Sequence, residues 1–124
     1  MIRIGAIVLH VSDTDRASAF WSRALGFRAG SHPDFLIPAD GAATRLHLDG
    51  SDHTHLDLWV DSAAEQASEV ERLIRLGATR VDWEYPDGAD FVVLADPCGT
   101  RFCVVDTGAA PARPGSGPAD DSRS

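Results

Sequence analysis

Lysine is missing from this chain of 124 residues, in which all 11 basic side chains are arginine. Schiff-base chemistry and the phosphate-binding P-loop both need a lysine amine, so these two function classes are excluded. The chain also has few basic residues beside its 19 acidic ones, and the net charge of −8 argues against binding to a phosphate backbone. A neutral or cationic ligand fits this charge better, and we expect no nucleic-acid partner.

Long apolar runs and cysteines are also scarce. The first apolar stretch, residues 4–11, is interrupted by His10 and lacks the basic leader and cleavage site of a signal peptide. No stretch reaches the roughly 20 apolar residues that span a bilayer. The two cysteines, Cys98 and Cys103, are too few for a disulfide framework and by themselves indicate small buried side chains. We therefore expect a cytoplasmic protein with no membrane partner.

Apolar spacing divides most of the chain into two similar halves. In the first half, residues 4–11 alternate like a strand, Ser12-Asp13 offers a helix N-cap, and a helical stripe runs on to Gly26. In the second half, residues 55–60 alternate again and precede a capped helical stripe that ends at Gly77. The two helix ends lie about fifty residues apart, and such internal repetition is a signal of the fold.

Short strands separated by turns follow each helix. The clearest in the first half is Thr44–Asp49, which alternates strictly, and three strands are predicted in the second half at about 79–84, 90–94 and 100–106. The chain therefore reads β-α-β-β-β twice, over modules 1–50 and 51–106. Residues 107–124 are rich in Ala, Pro, Gly and Ser and predict a flexible tail.

Alternation along the strands also predicts which side chains share a face. In the strand 55–60, Leu56, Leu58 and Val60 are expected under the helix, which leaves the alternate positions on the opposite face. The same reasoning in the other strands gives one set of polar and aromatic residues: His10, Arg45, His47, His55, Asp57, Trp59, Arg101 and Cys103. An apolar wall with a few convergent polar groups is what a small-molecule site requires.

Three motifs follow one another along the chain. They are Val8-Leu-His-Val-Ser-Asp13 leading into Leu25-Gly26-Phe27, His55-Leu-Asp-Leu-Trp-Val-Asp61 leading into Leu76-Gly77-Ala78, and Val93-Leu-Ala-Asp-Pro-Cys-Gly-Thr-Arg-Phe-Cys-Val105. Together they resemble the vicinal oxygen chelate superfamily, which includes glyoxalases, bleomycin-resistance proteins and extradiol dioxygenases. The resemblance covers nearly everything before the tail. It implies an α+β fold in which one domain, residues 1–106, is built from two βαβββ modules whose curved mixed sheets enclose a cleft.

The resemblance also implies four positions for metal ligands. They fall on Ala6, which cannot ligate a metal, and on His47, His55 and Cys103, which could hold a zinc, nickel or iron ion with an open position. The acidic ligand of glyoxalase I is missing from these positions, and so is the carboxylate of the iron dioxygenase triad. The alternative is a metal-free cleft in which the two imidazoles hydrogen-bond a ligand or water.

A second alternative rests on the segment Asp82–Asp90, which packs four carboxylates and two large aromatic rings into nine residues. Such a segment, with Trp59 and Trp83, suits the capture of a flat or cationic drug without catalysis, as in bleomycin-resistance proteins. The same segment can also be an ordinary hairpin with Trp83 on the sheet and a turn at Pro86-Asp87-Gly88. Residues 51–106 hold twelve acidic and four arginine side chains, which makes this half the place to seek a cationic partner.

These observations predict a glyoxalase-like protein that binds an organic small molecule. As an enzyme it would be a metal-assisted lyase or isomerase other than glyoxalase I, with His47 and His55 as ligands or acid–base groups and Asp57 orienting an imidazole or the substrate. His10, Trp59 and Trp83 would contact the substrate, and Arg45 or Arg101 would meet an anionic group on it. The alternatives are a drug-sequestering protein or a structural module. The resemblance favours a homodimer, with the cleft inside one chain or between two.

Overall fold

The computed structural model describes residues 1–40 and 44–108. These residues form two compact units. The first module is Gly5–Thr54, and the second module comprises residues 1–4 and 55–108. The division after Thr54 lies four residues beyond the boundary expected from the sequence.

The first module has the element order β-α-β-β-β. Its elements are β1 (Arg3–His10), which begins in the other unit, α1 (Thr14–Leu25), β2 (Arg28–Ala29), β3 (Phe35–Ile37) and β4 (Arg45–Asp49). The strands are ordered β2-β3-β4-β1, with β1 parallel to β4 and the other neighbours antiparallel. The sheet is therefore mixed.

The second module repeats this arrangement. Its elements are β5 (His55–Val60), α2 (Ala63–Arg75), β6 (Thr79–Arg80), β7 (Phe91–Ala95) and β8 (Arg101–Asp106). They are ordered β5-β8-β7-β6, again with the first and last strands parallel and the others antiparallel. The two βαβββ modules confirm the α+β class predicted from the repeat.

Local sequence explains where both helices begin. The side chain of Asp13 accepts the backbone N–H of Arg16 at the start of α1, and Ser62 Oγ accepts that of Glu65 at the start of α2. Glu65 in turn accepts the backbone N–H of Asp61 at 2.7 Å. At the other end of α1, Gly26 has a φ of 71°, the left-handed conformation that only glycine adopts at little cost.

Each module has its own hydrophobic core under its helix. In the first, Leu36, Leu46 and Leu48 are buried beneath Ala17 and Trp21 of α1. In the second, Val60, Val70, Ala78, Leu94 and Val104 form the buried cluster. Val60 thus lies under α2 as predicted. Leu56 is 38% exposed at the start of β5, so its predicted burial was wrong.

One further difference concerns the second module. The strand predicted at 79–84 is shortened to Thr79–Arg80, with one more bond from Val81 N to Val93 O at 3.3 Å, because residues 82–90 form a loop. At the carboxyl end, Thr107 N donates to Val60 O, one residue past β8. Most of the predicted flexible tail, residues 109–124, lies outside the described residues. Neither described helix is long and apolar enough to cross a membrane.

Candidate functional site

The parallel pair β5–β8 brings the polar positions of the second module together. In its register Asp57 lies beside Cys103, and Leu56 lies beside Phe102. Phe102 packs against the core under α2, so its alternate neighbour Cys103 must lie on the opposite face of the strand. The same alternation puts His55 and Asp57 on that face.

His55, Asp57 and Cys103 form a compact cluster there. The three atoms that could bind a metal all lie within 4.8 Å of one another. His55 Nε2 is 3.3 Å from Asp57 Oδ1. The side chains of His55 and Asp57 are only 13% and 2% exposed. A positive charge on the imidazole or on a bound ion would therefore interact with the carboxylate with little screening by water.

The chemistry of this donor set fits a divalent metal. An imidazole, a carboxylate and a thiolate are all zinc ligands, and three protein ligands leave one position open. Two ligands about 2.1 Å from a tetrahedral ion lie roughly 3.4 Å apart, which the His55–Asp57 distance already matches. The most distant of the three atoms, at up to 4.8 Å, would have to approach by on the order of 1 Å when an ion binds. All three candidate ligand atoms belong to the adjacent strands β5 and β8.

Arg101 begins β8 on the same face as Cys103, and Trp83 holds its side chain. The guanidinium carbon is 5.4 Å from the centre of the Trp83 ring, within the range of a cation–π contact. Both side chains are half-buried. The loop between β6 and β7 thus brings one of its two large aromatic rings to the edge of the cluster.

The loop itself is the hairpin connection that the sequence left open as one alternative. Ala89 N donates to Pro86 O, Gly88 has a φ of 74°, and the carboxylates of Asp82, Glu84 and Asp87 are exposed. Val93 N donates to the Tyr85 hydroxyl oxygen at 2.8 Å, which ties the loop back to β7. The aromatic rings of this segment therefore serve in part to anchor it.

Trp59 also lies on the β5 face but carries a second arginine. The Arg3 guanidinium carbon is 5.9 Å from the centre of its ring, and Arg3 also binds the Asp61 carboxylate at 3.1 Å. Each of the two tryptophans predicted to contact a substrate therefore has an arginine of the same module over its ring.

The remaining predicted residues belong to the first module. His47 is 5% exposed in β4, and its ring stacks on Phe35 with the centroids 4.1 Å apart. Arg45 is half-buried at the start of β4, beside Ala6 in the register. His10 is exposed, and its Nδ1 lies 2.9 Å from the Asp52 carbonyl oxygen. Their predicted roles stay predictions.

Asp49 is the buried carboxylate at the end of β4. Burial opposes its charge, but the backbone N–H groups of Ser51 and Asp52, the Ser51 hydroxyl and the nearby His47 outweigh this and hold the pKa of Asp49 below its ordinary value. The carboxylate closes the turn that leaves the strand, so its role is structural.

Sequence reasoning gave Asp57 an orienting role and assigned no carboxylate to the metal ligands. The structure places Asp57 beside His55 and Cys103, so its carboxylate is a further candidate donor. The signal was present in the spacing: His55 and Asp57 are two residues apart on one strand, which puts them on the same face. The Trp83–Arg101 contact carried no such local signal, because the two residues are eighteen positions apart.

Comparison with protein families gives one match, to the family described as Glyoxalase-like domain, over residues 6–105. The matched range begins in the middle of β1, contains all the elements that follow, and ends one residue before the end of β8. No curated protein matches the chain in sequence.

Two solved structures with TM-scores above 0.5 share the fold at low sequence identity. The NAD-dependent benzaldehyde dehydrogenase from Legionella pneumophila is 16% identical, with a TM-score of 0.62 over 82% of this chain and 96% of that chain. A hypothetical protein from Bacillus halodurans C-125 is 14% identical, with a TM-score of 0.56 over 85% and 94%. A glyoxalase/bleomycin resistance protein/dioxygenase superfamily member from Vibrio splendidus 12B01 is 18% identical, with a TM-score of 0.49 over 85% and 99%.

Proposed function

This chain belongs to the glyoxalase-like domain family, and we propose that it binds an organic small molecule and acts on it with a divalent metal held by His55, Asp57 and Cys103. The reaction class we propose is a lyase or isomerase reaction beside a carbonyl group. The observation that carries the proposal is the cluster of three ligand groups within 4.8 Å on one face of the second module.

The three side chains have distinct tasks in this proposal. A divalent ion, when bound, polarises a carbonyl oxygen or lowers the pKa of a water molecule. Asp57 and Cys103 supply the two negative charges that balance such an ion, and His55 supplies a neutral nitrogen. The parallel pairing of β5 with β8 holds two of these ligand groups close together before a metal binds, because Asp57 and Cys103 are direct neighbours in the register.

The chemistry we propose differs from that of glyoxalase I, because the donor set combines one histidine, one aspartate and one cysteine, all from a single module.

Drug sequestration is less well supported by the side-chain geometry. A cationic drug would have to stack on Trp59 or Trp83, and Arg3 and Arg101 already lie over these rings. The drug would therefore compete with the guanidinium of Arg3 or Arg101 for the same aromatic ring. This comparison favours the metal-assisted reaction over sequestration.

Metal analysis of the dialysed full-length protein tests the proposal. We expect about one zinc, nickel or iron ion per chain, as for a site with three protein ligands, and loss of the ion in His55→Ala, Asp57→Asn and Cys103→Ser. The matched controls His53→Ala, Asp87→Asn and Cys98→Ser change exposed residues of the same types and should keep it. A metal-free wild-type protein, or equal retention by both sets of variants, contradicts the proposed site.

The reaction class has its own assay. A panel of small ketones and aldehydes in deuterated buffer, followed by proton NMR, reports exchange of the proton beside the carbonyl. We expect the metal-loaded protein to accelerate this exchange and the His55→Ala and Cys103→Ser variants, which each lack a proposed metal ligand, to lose the acceleration. Exchange at the background rate across the panel, with the metal bound, would refute the lyase or isomerase assignment.

A further inference from the structure

Four polar groups lie on one face of the parallel pair in the second module. His55 and Arg101 are the first residues of β5 and β8, and Asp57 and Cys103 are register neighbours two residues further along. Residues two apart on a strand are separated by roughly 6.5–7 Å. The backbone of Arg101 therefore lies within about 7 Å of that of Cys103 on the face that carries the proposed metal ligands.

Arg101 differs in its partners from Arg3 and Arg72 of the same module, and it is less exposed than Arg75 and Arg80. Arg3 binds Asp61 and Arg72 binds Glu69 in salt bridges. Among residues 1–40 and 44–108, no carboxylate lies within salt-bridge distance of Arg101, whose guanidinium instead rests over Trp83 at 5.4 Å. It is half-buried, so part of its hydration is already lost without a negative charge to replace it.

The charges on this face leave a positive excess. A divalent ion is balanced by the carboxylate of Asp57 and the thiolate of Cys103, and His55 is neutral as a ligand. Arg101 then contributes one positive charge that no neighbouring side chain compensates. An incoming anionic group would pair with the guanidinium, which offers a planar fork of donors suited to carboxylate or phosphate.

We propose that Arg101 is a specificity residue that selects small organic carbonyl compounds carrying an anionic group, with Trp83 as its positioning residue. The inference rests on the proposed function, because the metal site supplies the second anchor for the substrate. It commits to an anionic substrate class, although the whole chain carries a net charge of −8. The local charge of the site decides the ligand, since exposed charges further than about 8–10 Å away are largely screened.

The test uses two probes that differ in one charge. The first is para-acetylbenzoate, which carries a ketone and a carboxylate at opposite ends of a ring, and the second is its uncharged methyl ester. Binding to the metal-loaded full chain is measured by calorimetry. We expect the wild type to prefer the acid by about tenfold or more, as a charge-assisted hydrogen bond implies.

Four variants assign this preference to its residues. Arg101→Gln should bind the acid and the ester equally, and Arg101→Lys should keep part of the preference because the charge remains. Trp83→Leu should weaken the preference and leave the affinity for the ester unchanged. A general structural defect would lower the affinity for the ester as well. The matched control is Arg80→Gln, which removes the same charge from an exposed position in β6 and should keep the full preference.

The outcomes separate this inference from the proposed function when metal content is measured on the same samples. A protein that holds the metal but binds the acid and the ester equally, or binds neither, overturns the role of Arg101 and leaves the metal site standing. A preference that survives in Arg101→Gln also overturns it. A metal-free protein with an Arg101-dependent preference supports the role and overturns the metal site. A protein that holds neither metal nor probe overturns both.

Discussion

Replacing Cys103 by serine should remove most of the stabilisation that zinc gives to the folded protein. A ligand that binds only the folded state stabilises it by about 2.7 kcal/mol at a concentration of 100 times its Kd. The family match spans residues 6–105, and for a domain of about 100 residues each kcal/mol moves Tm by roughly 4–8 °C. We therefore expect zinc at that concentration to raise the Tm of the wild type by roughly 10–20 °C.

The loss in Cys103→Ser follows from the same arithmetic. Losing even a residue that only orients a metal ligand weakens binding about 10–100-fold, so losing a ligand itself should cost at least the upper figure. At an unchanged zinc concentration the stabilisation then falls to about 0.4 kcal/mol, or roughly 2–3 °C. Cys98 is exposed in the turn after β7, where its backbone N–H, and not its thiol, bonds Asp96. Cys98→Ser should therefore keep the whole shift.

Thermal unfolding followed by circular dichroism, with and without zinc and then with excess EDTA, measures these shifts. The three proteins are compared at one zinc concentration, chosen from the wild-type titration. A shift in Cys103→Ser as large as that in Cys98→Ser would refute the assignment of the thiol as a ligand. A wild type whose Tm does not move with zinc, nickel or iron would refute the site as a whole.

Three other predictions concern the scaffold. The depressed pKa of Asp49 means that its charge stabilises the fold above about pH 3.9, the ordinary aspartate value, and that this contribution is lost as the pH falls through the lower folded value. Asp49→Ala should thus cost about 1–3 kcal/mol in urea unfolding at pH 7 and progressively less below pH 4; a constant cost would contradict this. Gln66 Nε2 donates to two backbone carbonyl oxygens at 3.0 and 2.9 Å, so Gln66→Ala should lower the unfolding free energy by about 1–3 kcal/mol; an unchanged urea midpoint would show that these bonds contribute nothing. Leu94→Ala, at a fully buried position, should lower the unfolding free energy by about 2–5 kcal/mol. The control Leu76→Ala, at a position that is 66% exposed, should change the urea midpoint little. Equal losses in the two variants would contradict the described core.

In our proposal the charges near the cluster, and not the net charge of the chain, select the ligand. Much of the acidic surplus in the second half has local tasks: Glu65 accepts a backbone N–H before α2, Asp96 accepts two in the turn after β7, and Glu69 pairs with Arg72. These carboxylates stabilise helix ends and turns. The cluster face has one carboxylate and the cation of Arg101, which is why we propose an anionic and not a cationic ligand.

The repeat of helices and strands could be predicted from the sequence because its signals are local. Caps at Asp13 and Ser62, the stop at Gly26 and the turn at Asp96-Pro97-Cys98-Gly99 each depend on residues a few positions apart. Burial was predicted less well. Leu56 alternates correctly with its neighbours but lies at the open end of β5, where nothing in the strand pattern tells how far the core extends.

The same distinction applies to the candidate site. The sequence by itself determined that His55 and Asp57 share a face, because strand geometry fixes the direction of residues two apart. Alternation also predicted Cys103 and Arg101 on a common face with them. Only the tertiary structure decided that Cys103 is the register neighbour of Asp57 and that Trp83 contacts Arg101, because strand register and loop path depend on contacts between segments far apart in the chain. The donor set that we propose within one module is therefore a property of the β5–β8 pairing, which brings Cys103 beside Asp57.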